Sequence, residues 1–366
     1  MAGSSIGNIF RITTWGETHG RGVGVVVDGV PAGLALNEED IQKYLNRRKP
    51  GQSKFVTARK ESDLVEIYSG IFEGKTTGTP ISLAVMNTNQ RSKDYSALMD
   101  IYRPGHADYT FDMKYGFRDY RGGGRSSGRE TIGRVAAGAI AAKILKEMGI
   151  EILTYSKAIG GIGIDMDRFD KEEINNNPFY MPDAQAAKQV EEYASKMIEE
   201  MNSIGGVVEC RVNGLPAGLG DPVFEKISAN LGKAMLSIGA TKGFEIGDGF
   251  AVADSNGAIN NDNFYMDEEG KIAKRTNHSG GTLGGMTDGS ELVFRTAFKP
   301  TPSIARPQET VNRQKEDTVI EIKGRHDPII VPRAVVVVEA MAACTILDAL
   351  LMNMTARLDK IVEFYK

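Results

Sequence analysis

Residues 121–148, RGGGRSSGRETIGRVAAGAIAAKILKEM, form the stretch around which the sequence is organised. Its first half interleaves glycines and two serines with three arginines, Arg121, Arg125 and Arg129. Glycines let a ligand approach the backbone, and arginines bind phosphate and carboxylate groups through two parallel hydrogen bonds. This half is therefore predicted to bind an anion. The alternative is a solvated basic turn before an ordinary core helix.

The second half of the stretch has the apolar spacing of a helix, which includes Val135, Ile140 and Ile144. Gly149 is the predicted end of this helix. Ser127 and Glu130 have the spacing of a capping box, and such a cap typically contributes about 1 kcal/mol. A helix N-terminus exposes N–H groups and carries roughly half a positive charge, so it strengthens the predicted anion site.

The overall composition is that of a globular protein, because 41% of the 366 residues are hydrophobic and 25% are charged. The net charge of −4 disfavours a general nucleic-acid binder. Cys210 and Cys344 are too few for a disulfide framework or a metal motif, which indicates a reducing cytoplasm. No secretory signal pattern and no apolar run of membrane-spanning length is visible. The expected location is cytoplasmic, with no metal, nucleic acid or membrane as a partner.

Two of the four histidines lie in glycine-rich loops before the arginine–glycine stretch. His19 stands in GETHG between predicted strands at 10–15 and 22–28, and His106 stands in RPGHAD. A histidine near an acid or a hydroxyl can move protons near neutral pH. For either histidine alone a plain turn is the alternative, but the two together favour a catalytic site.

An octamer in the first third of the chain is repeated later. VDGVPAGL at 27–34 returns as VNGLPAGL at 212–219, and each copy follows a valine-bearing strand. The repetition predicts two similar halves related by a pseudo-twofold axis within a single domain, 1–366. Their strand–turn–helix units lie near 22–45 and 206–238. Chance resemblance of two turn-rich octamers is the alternative.

Several other segments carry regular patterns. The predicted helices are 37–45 with a capping box of Asn37 and Asp40, 183–202 on the surface, one begun by Asp221 and Pro222, and 333–364. The predicted strands are 66–72, 80–87 and 292–298. Four consecutive valines near the start of the last helix are poor helix formers.

Three separated motifs, GETHG, GRSSGRET and RHDP, occur in that order, with RPGHAD, NHSGG and KPTPS between them. In these residues the chain resembles the chorismate synthase family over nearly its whole length. The resemblance implies an α+β fold, a β-α-β sandwich, in a homotetramer. It also implies a lyase that converts 5-enolpyruvylshikimate 3-phosphate to chorismate and phosphate by 1,4-elimination.

The implied cofactor is reduced FMN, which is required without net redox change, and NADPH would serve only as a source of electrons for flavin reduction. By the same resemblance His19 would protonate the departing phosphate. His106 would protonate or stabilise the reduced flavin, and Asp327 would assist removal of the ring proton. FMN contacts are implied at Arg125, Ser126, Ser127, Gly239, Ala240, Gly284, Lys299, Pro300, Thr301, Pro302, Ser303 and Arg325. Substrate or nucleotide contacts are expected at Arg48, Lys54, Arg129 and Arg134.

Two residues depart from the family pattern. Thr18 replaces a serine and keeps the hydroxyl, and Lys54 replaces an arginine and keeps the charge but loses the bidentate fork. Two other functions stay open at this stage. One is a phosphate- or RNA-binding module without catalysis, and the other is a flavin oxidoreductase.

Overall fold

The computed structural model describes residues 3–56, 61–87, 98–322 and 327–366. Within these ranges the strands are β1 (Ser5–Ile6), β2 (Arg11–Gly16), β3 (Gly22–Asp28), β4 (Val65–Ile67), β5 (Ile71–Phe72), β6 (Lys75–Thr76), β7 (Ile81–Met86), β8 (Glu151–Ile159), β9 (Ile162–Gly163), β10 (Gly206–Asn213), β11 (Thr241–Ile246), β12 (Phe264–Met266), β13 (Ile272–Lys274), β14 (Thr282–Leu283), β15 (Met286–Thr287), β16 (Leu292–Phe298), β17 (Pro307–Val311) and β18 (Asp317–Glu321). The helices are α1 (Glu38–Arg48), α2 (Asp108–Tyr115), α3 (Thr131–Glu147), α4 (Ala184–Glu199), α5 (Ile227–Leu236), α6 (Gly257–Asn260), α7 (Val331–Asn353) and α8 (Leu358–Tyr365).

Two antiparallel five-stranded sheets enclose a layer of helices. The first has the strand order β1-β2-β3-β7-β4, and the second has the order β11-β16-β10-β8-β9. Helices α1 and α3 pack on the first sheet, α5 and α7 pack on the second, and α3 packs directly on α7. The predicted α+β fold with helices sandwiched between sheets is confirmed, and its core is one continuous cluster.

The α3–α7 contact is unusually close because Gly138 lies on α3. A Cβ added to Gly138 would come within 2.3 Å of the Ala340 Cβ on α7. Val335–Val338 are each at most 3% exposed. Their burial against α3 and the second sheet overrides the low helix propensity of valine. Among the described helices α7 alone has the length and hydropathy of a membrane span, but 72% of that segment is buried inside the fold, as in a core helix.

The repeated octamers make the same hydrogen bonds in the two halves. The Thr76 hydroxyl donates to the Pro31 carbonyl at 2.6 Å, and the Thr287 hydroxyl donates to the Pro216 carbonyl at 2.6 Å. Each hydroxyl also accepts from the backbone amide three residues after that proline, at 3.0 and 2.9 Å. These matched contacts support our proposal that the units near 22–45 and 206–238 are copies of one ancestral unit.

Most predicted elements are present with small changes in length. Helix α3 ends before Gly149, whose φ of +74° suits glycine. The capping box of Asn37 and Asp40 is confirmed, and α1 continues to Arg48. The strands predicted near 10–15, 22–28, 80–87 and 292–298 and the helix near 183–202 are also confirmed.

Four expectations are wrong. Glu130 does not close a capping box with Ser127, because its carboxylate accepts from Thr14 and Arg134 instead. The predicted strand 66–72 is broken where Gly70 has a φ of +83°.

The helix expected to start at Asp221 starts at Ile227, because the Asp221 N–H donates to the Glu225 carbonyl at 2.9 Å and closes a turn there. The helix predicted at 333–364 is two helices, since Arg357 adopts an extended conformation between α7 and α8.

Candidate active site

The loop between β2 and β3 holds His19 in a buried position. His19 and Thr18 are each 9% exposed, and the Gly20 N–H donates to the Glu17 carbonyl at 3.1 Å, which closes the turn. The imidazole of His19 lies against Gly122: a Cβ added there would be 3.0 Å from Cδ2 and 3.1 Å from Nε2. Gly122 therefore lets the arginine–glycine stretch approach the histidine.

The loop that contains His106 reaches the same glycine through Arg103. The guanidinium of Arg103 makes two hydrogen bonds of 2.8 Å to the Asp108 carboxylate, and Nη2 also donates to the Gly122 carbonyl at 3.2 Å. Arg103 and Asp108 are both buried, so this bidentate pair holds the loop in one geometry. The two histidine loops predicted from the sequence thus meet at Gly122.

The protonation state of His106 follows from its two ring partners. Nδ1 lies 2.9 Å from the Pro104 carbonyl, which can only accept, so Nδ1 carries a hydrogen. Nε2 lies 2.8 Å from the Ser303 hydroxyl, which can donate to it. Burial, followed by the positive charge of Arg103, lowers the pKa of His106 to about 4. The imidazole is therefore neutral near pH 7, with Nε2 as its acceptor.

The segment from Lys299 to Ser303 docks against the His106 loop. Lys299 donates from Nζ to the Gly105 carbonyl at 2.8 Å and from its backbone N–H to the Ala240 carbonyl at 3.0 Å. Partial burial, and next the charge of Lys242, lower the pKa of the Lys299 ammonium. The segment thus brings the turn at residues 239–240 to the side of His106.

Asp327 lies at the other side of the same segment. Its backbone carbonyl accepts from the Thr301 hydroxyl at 2.5 Å, and its carboxylate pairs with Arg333 at the start of α7, also at 2.5 Å. The Nε of Arg333 donates to the Arg48 carbonyl at 3.0 Å. Asp327 therefore connects the segment 299–303 to a cluster of paired arginines and carboxylates near the N-termini of α3 and α7.

That cluster is built on Asp63. One carboxylate oxygen pairs with Arg48 and the other with Arg129, each at 2.8 Å, and Glu61 also pairs with Arg129. Arg48 is 1% exposed, and burial lowers its pKa to about 10. Within the described residues its Nε has no hydrogen-bond partner. Arg48 and Arg129 are therefore held by buried carboxylates beside the loops.

The comparisons with known proteins identify the family of the chain. The family model for chorismate synthase matches residues 10–351. The chain belongs to the chorismate synthase family. It is 69% identical to the chorismate synthase of Agathobacter rectalis over all of both chains, and 53% identical to that of Chloroflexus aggregans over 98% of each. A crystal structure of a chorismate synthase aligns over 98% of this chain and 97% of its own, with a TM-score of 0.77 and 31% identity.

Membership of the chorismate synthase family makes the chain an enzyme of the shikimate pathway. It is a lyase that forms chorismate from a phosphorylated small-molecule substrate, and the family implies a flavin cofactor. The alternatives of a non-catalytic binding module and of an oxidoreductase are not favoured.

Arg125, Ser126 and Ser127 lie in two short 3₁₀ turns before α3. The guanidinium of Arg125 donates to the backbone carbonyls of Thr14 at 3.1 Å and of Gly16 at 3.0 Å. Ser126 is exposed, and the Ser127 hydroxyl accepts weakly from the Arg129 N–H at 3.3 Å. In this chorismate synthase fold Arg125 thus fastens the end of β2, directly before the loop of His19.

Some predicted site residues lie apart from this region. Lys54 pairs with Glu191 at 3.1 Å and is 68% exposed, and Arg134 is bound to Glu130 and Ser237. Gly284 lies in the hairpin of β14 and β15, before the first residue of β16, whereas Lys299 follows the last residue of that seven-residue strand. Arg325 lies outside the described residues.

Four residues of the site were not identified from the sequence: Glu61, Asp63, Arg333 and Asn87, whose Oδ1 accepts from Nε of Arg129 at 2.6 Å. Asp63 and Asn87 stand in no recognisable motif, and only the fold brings them to the loops. Arg333 could have been recognised from the sequence. A cation in the first turn of a helix interacts unfavourably with the helix dipole, so its presence there indicates a role other than helix stability.

A cavity of about 670 Å³ lies at the opposite end of α7. Asn8, Arg11, Lys233 and Asp348 are among the residues that line it, and no predicted site residue does. The 23 residues of α7 separate the two ends by about 34 Å. The cavity is therefore distinct from the site built around His19 and His106.

Proposed function

We propose that the chain eliminates phosphate from 5-enolpyruvylshikimate 3-phosphate at the site where the two histidine loops meet, with reduced FMN as a cofactor that is not consumed. The observation that carries this proposal is the convergence on Gly122. The imidazole of His19 packs on this residue, and its carbonyl binds the loop that carries His106. The two loops that carry the histidines thus meet at one place.

The residues present fit a planar, phosphate-bearing group such as FMN. A Cβ at Gly124, Gly128 or Gly239 would meet no described atom within 4 Å, so the backbone is open there. Ser126 is exposed between Gly124 and Gly128, and the backbone N–H of Lys299 donates to the Ala240 carbonyl, which brings this lysine to the turn at 239–240. Open backbone next to cations and hydroxyls suits a flat ring and a phosphate.

When bound, a reduced flavin supplies electron density to the allylic system of the substrate. The protein would hold it with Arg125, Ser126, Ser127, Gly239, Ala240 and the segment Lys299–Ser303. Gly284 and Arg325 remain proposed contacts by resemblance to the family.

In this reaction the residues of the protein transfer protons and stabilise charge. In the elimination one C–O bond to phosphate and one C–H bond break, and the substrate loses no electrons overall. We assign His19 as the group that donates a proton or hydrogen bond to the departing phosphate, a form of help typically worth about 10²–10⁴-fold in rate. Asp327, held by Arg333, is assigned to assist removal of the ring proton.

His106 receives a narrower role than protonation of the flavin. Because its Nδ1 hydrogen is committed to the Pro104 carbonyl and its pKa is lowered to about 4, it is a neutral imidazole at pH 7. We assign it to orient the Ser303 hydroxyl and the segment that carries it. Arg48, Arg129, Arg134 and Lys54 remain proposed contacts to the substrate or a nucleotide by resemblance to the family, and NADPH would act only as a source of electrons for the flavin.

The test is an oxygen-free assay with substrate in large excess over reduced FMN, in which chorismate, phosphate and the flavin spectrum are followed together. One reduced flavin should support many turnovers and remain reduced at the end. One oxidised flavin per product would make the protein an oxidoreductase. Product without flavin would remove the cofactor from the proposal.

We also propose a homotetramer in the cytoplasm, as the family resemblance implies. Helix α8 supports subunit contact, because none of its residues is buried and Leu358 and Phe364 are 77% and 73% exposed. Light scattering of the purified chain would give the mass of the assembly. A monomeric mass would contradict the proposal.

A further inference from the structure

Asn87 follows β7 and makes three side-chain hydrogen bonds. Nδ2 donates to the carbonyls of Glu17 and Gly20, both at 3.0 Å, and Oδ1 accepts from Nε of Arg129 at 2.6 Å. Backbone carbonyls only accept and a guanidinium only donates. The partners therefore determine the orientation of the amide without ambiguity.

The two carbonyls are the two ends of the turn that contains Thr18 and His19. A single amide group faces both ends, so the turn cannot tilt without the loss of at least one hydrogen bond. The backbone N–H of Asn87 also donates to the Arg21 carbonyl at 3.0 Å, which continues the pairing of β3 with β7. Asn87 therefore holds the turn against the end of β7 in the first sheet.

The opposite side of the Asn87 amide rests on buried charges. Arg129 is 8% exposed and pairs with Asp63, which is 2% exposed and pairs in turn with Arg48. A surface amide would exchange its partners with water. The Asn87 amide is oriented by the Arg129 guanidinium, which is itself held between the buried Asp63 and the partly buried Glu61.

We propose that Asn87 is a positioning residue that places the His19 imidazole for the departure of phosphate. The inference rests on the proposed role of His19. A general acid must lie within hydrogen-bond reach of its target, and a displacement of about 1 Å can cost on the order of 10²-fold in rate. Asn87 acts through the turn and contributes no atom to the reaction.

Two substitutions separate the contacts of Asn87. Asn87→Ala removes all three hydrogen bonds. Asn87→Asp keeps an oxygen for Arg129 but replaces the two N–H donors with an oxygen that faces carbonyl oxygens. If the turn contacts matter, both variants should lower kcat by roughly 10- to 100-fold at saturating reduced FMN, with KM for the substrate within about threefold of the parent. Parental kcat in Asn87→Asp would overturn the inference.

Asn177→Ala is the matched control. The Nδ2 of Asn177 also donates to two backbone carbonyls, those of Glu173 and Met181, both at 2.8 Å, in a segment without predicted site residues. This variant removes a similar amide clamp and should keep the parental kcat. An equal loss of kcat in Asn177→Ala and Asn87→Ala would show a general effect on folding and overturn the positioning role.

A double-mutant cycle tests whether the effect passes through His19. In a His19→Ala background, Asn87→Ala should lower kcat by less than about threefold, because the group that it positions is absent. Fully additive losses would overturn the inference. If His19→Ala alone keeps parental turnover, the proposed role of His19 fails instead.

A spectroscopic readout does not depend on turnover. The chain has four histidines, so the ring Cε1–H signal of His19 can be assigned by its absence in His19→Ala. Asn87→Ala and Asn87→Asp should shift this signal, whereas Asn177→Ala should not. An unchanged His19 signal in both Asn87 variants would overturn the inference even if activity falls.

Discussion

The buried pairing of Asp63 with two arginines makes Asp63→Ala the most informative test of the site's construction. Asp63 is 2% exposed, and its partners Arg48 and Arg129 are 1% and 8% exposed. In the variant, Arg129 would keep Glu61 as a counterion. Arg48 would keep only neutral acceptors on the Nη1 side, so its charge would be left without its direct carboxylate partner.

The size of the effect follows from burial and from the backbone. Removal of one partner from a buried ion pair typically costs about 3–5 kcal/mol. Asp63 also has a φ of +47°, where alanine costs about 1 kcal/mol more, whereas asparagine tolerates this conformation. We therefore expect Asp63→Ala to lower the free energy of unfolding by roughly 4–6 kcal/mol. Asp63→Asn should cost less by about 1–2 kcal/mol, because it keeps the backbone conformation and one oxygen acceptor.

Urea unfolding followed by far-ultraviolet circular dichroism at pH 7, at equal protein concentration, measures both variants. Glu269→Ala is the control: Glu269 pairs with Lys271 at 2.7 Å, but both side chains are 73% exposed, so its loss should leave the unfolding midpoint unchanged. A loss of less than about 1 kcal/mol in Asp63→Ala would contradict this expectation, because it lies below the lower limit for a buried pair.

Three further predictions concern single sites. Because the pKa of His106 is lowered to about 4, the unfolded chain binds a proton between about pH 6.5 and 4 that the folded chain does not. Stability should therefore fall as the pH drops through that window, and the parent should lose roughly 2–3 kcal/mol relative to His106→Asn in unfolding between pH 7.5 and 4.5. Equal losses in the two proteins would contradict this. Gly138→Val should lower the free energy of unfolding by at least about 3 kcal/mol because it separates α3 from α7. Gly257→Ala should be nearly neutral, because its Cβ would meet no atom of the described residues within 4 Å. Similar unfolding midpoints for the two variants would contradict this prediction. Arg125→Ala and Arg125→Lys should both weaken binding of reduced FMN in anaerobic titrations, because a lysine cannot reproduce the forked contacts to the carbonyls before His19. Parental affinity in both variants would remove Arg125 from the cofactor site.

Elements with a strong local pattern were predictable from the sequence. The alternation and valines of β2 and β3, the cap of α1 and the period of α3 act over a few neighbouring residues, so the sequence carries them directly. The predicted Ser127–Glu130 capping box is absent because Glu130 makes tertiary contacts instead. Glu130 meets Thr14 from β2 and Arg134 from the next turn of α3, and these partners win over the local one.

The residues of the candidate site likewise fall into two groups, those that stand in a local sequence motif and those that do not. His19, His106 and the segment after Lys299 stand in short motifs, and the structure brings them together. Asp63 and Asn87 act through partners that are 66 and 42 residues away in the chain, respectively. No local pattern marks such residues, because their function depends on a contact that exists only in the fold.

The balance of charge at the site explains how an acidic protein can hold a polyanion. The buried cluster contains three arginines, Arg48, Arg129 and Arg333, and three carboxylates, Glu61, Asp63 and Asp327. Its formal charges cancel, so the cluster holds the loops in place but supplies little net attraction.

The attraction must come from groups around this neutral cluster. Helix α3 begins at Thr131, whose hydroxyl contacts Arg48, and α7 begins beside Arg333, which contacts the Arg48 carbonyl. The N-termini of the two central helices therefore meet at one end of the sandwich, and each carries roughly half a positive charge. Together with the partly exposed Lys299, they add positive charge at this end of a chain whose net charge is −4. Backbone dipoles keep their partial charge at every pH, and a single side-chain substitution does not remove them. Substrate affinity should for that reason survive the loss of any one arginine better than turnover survives a displacement of His19.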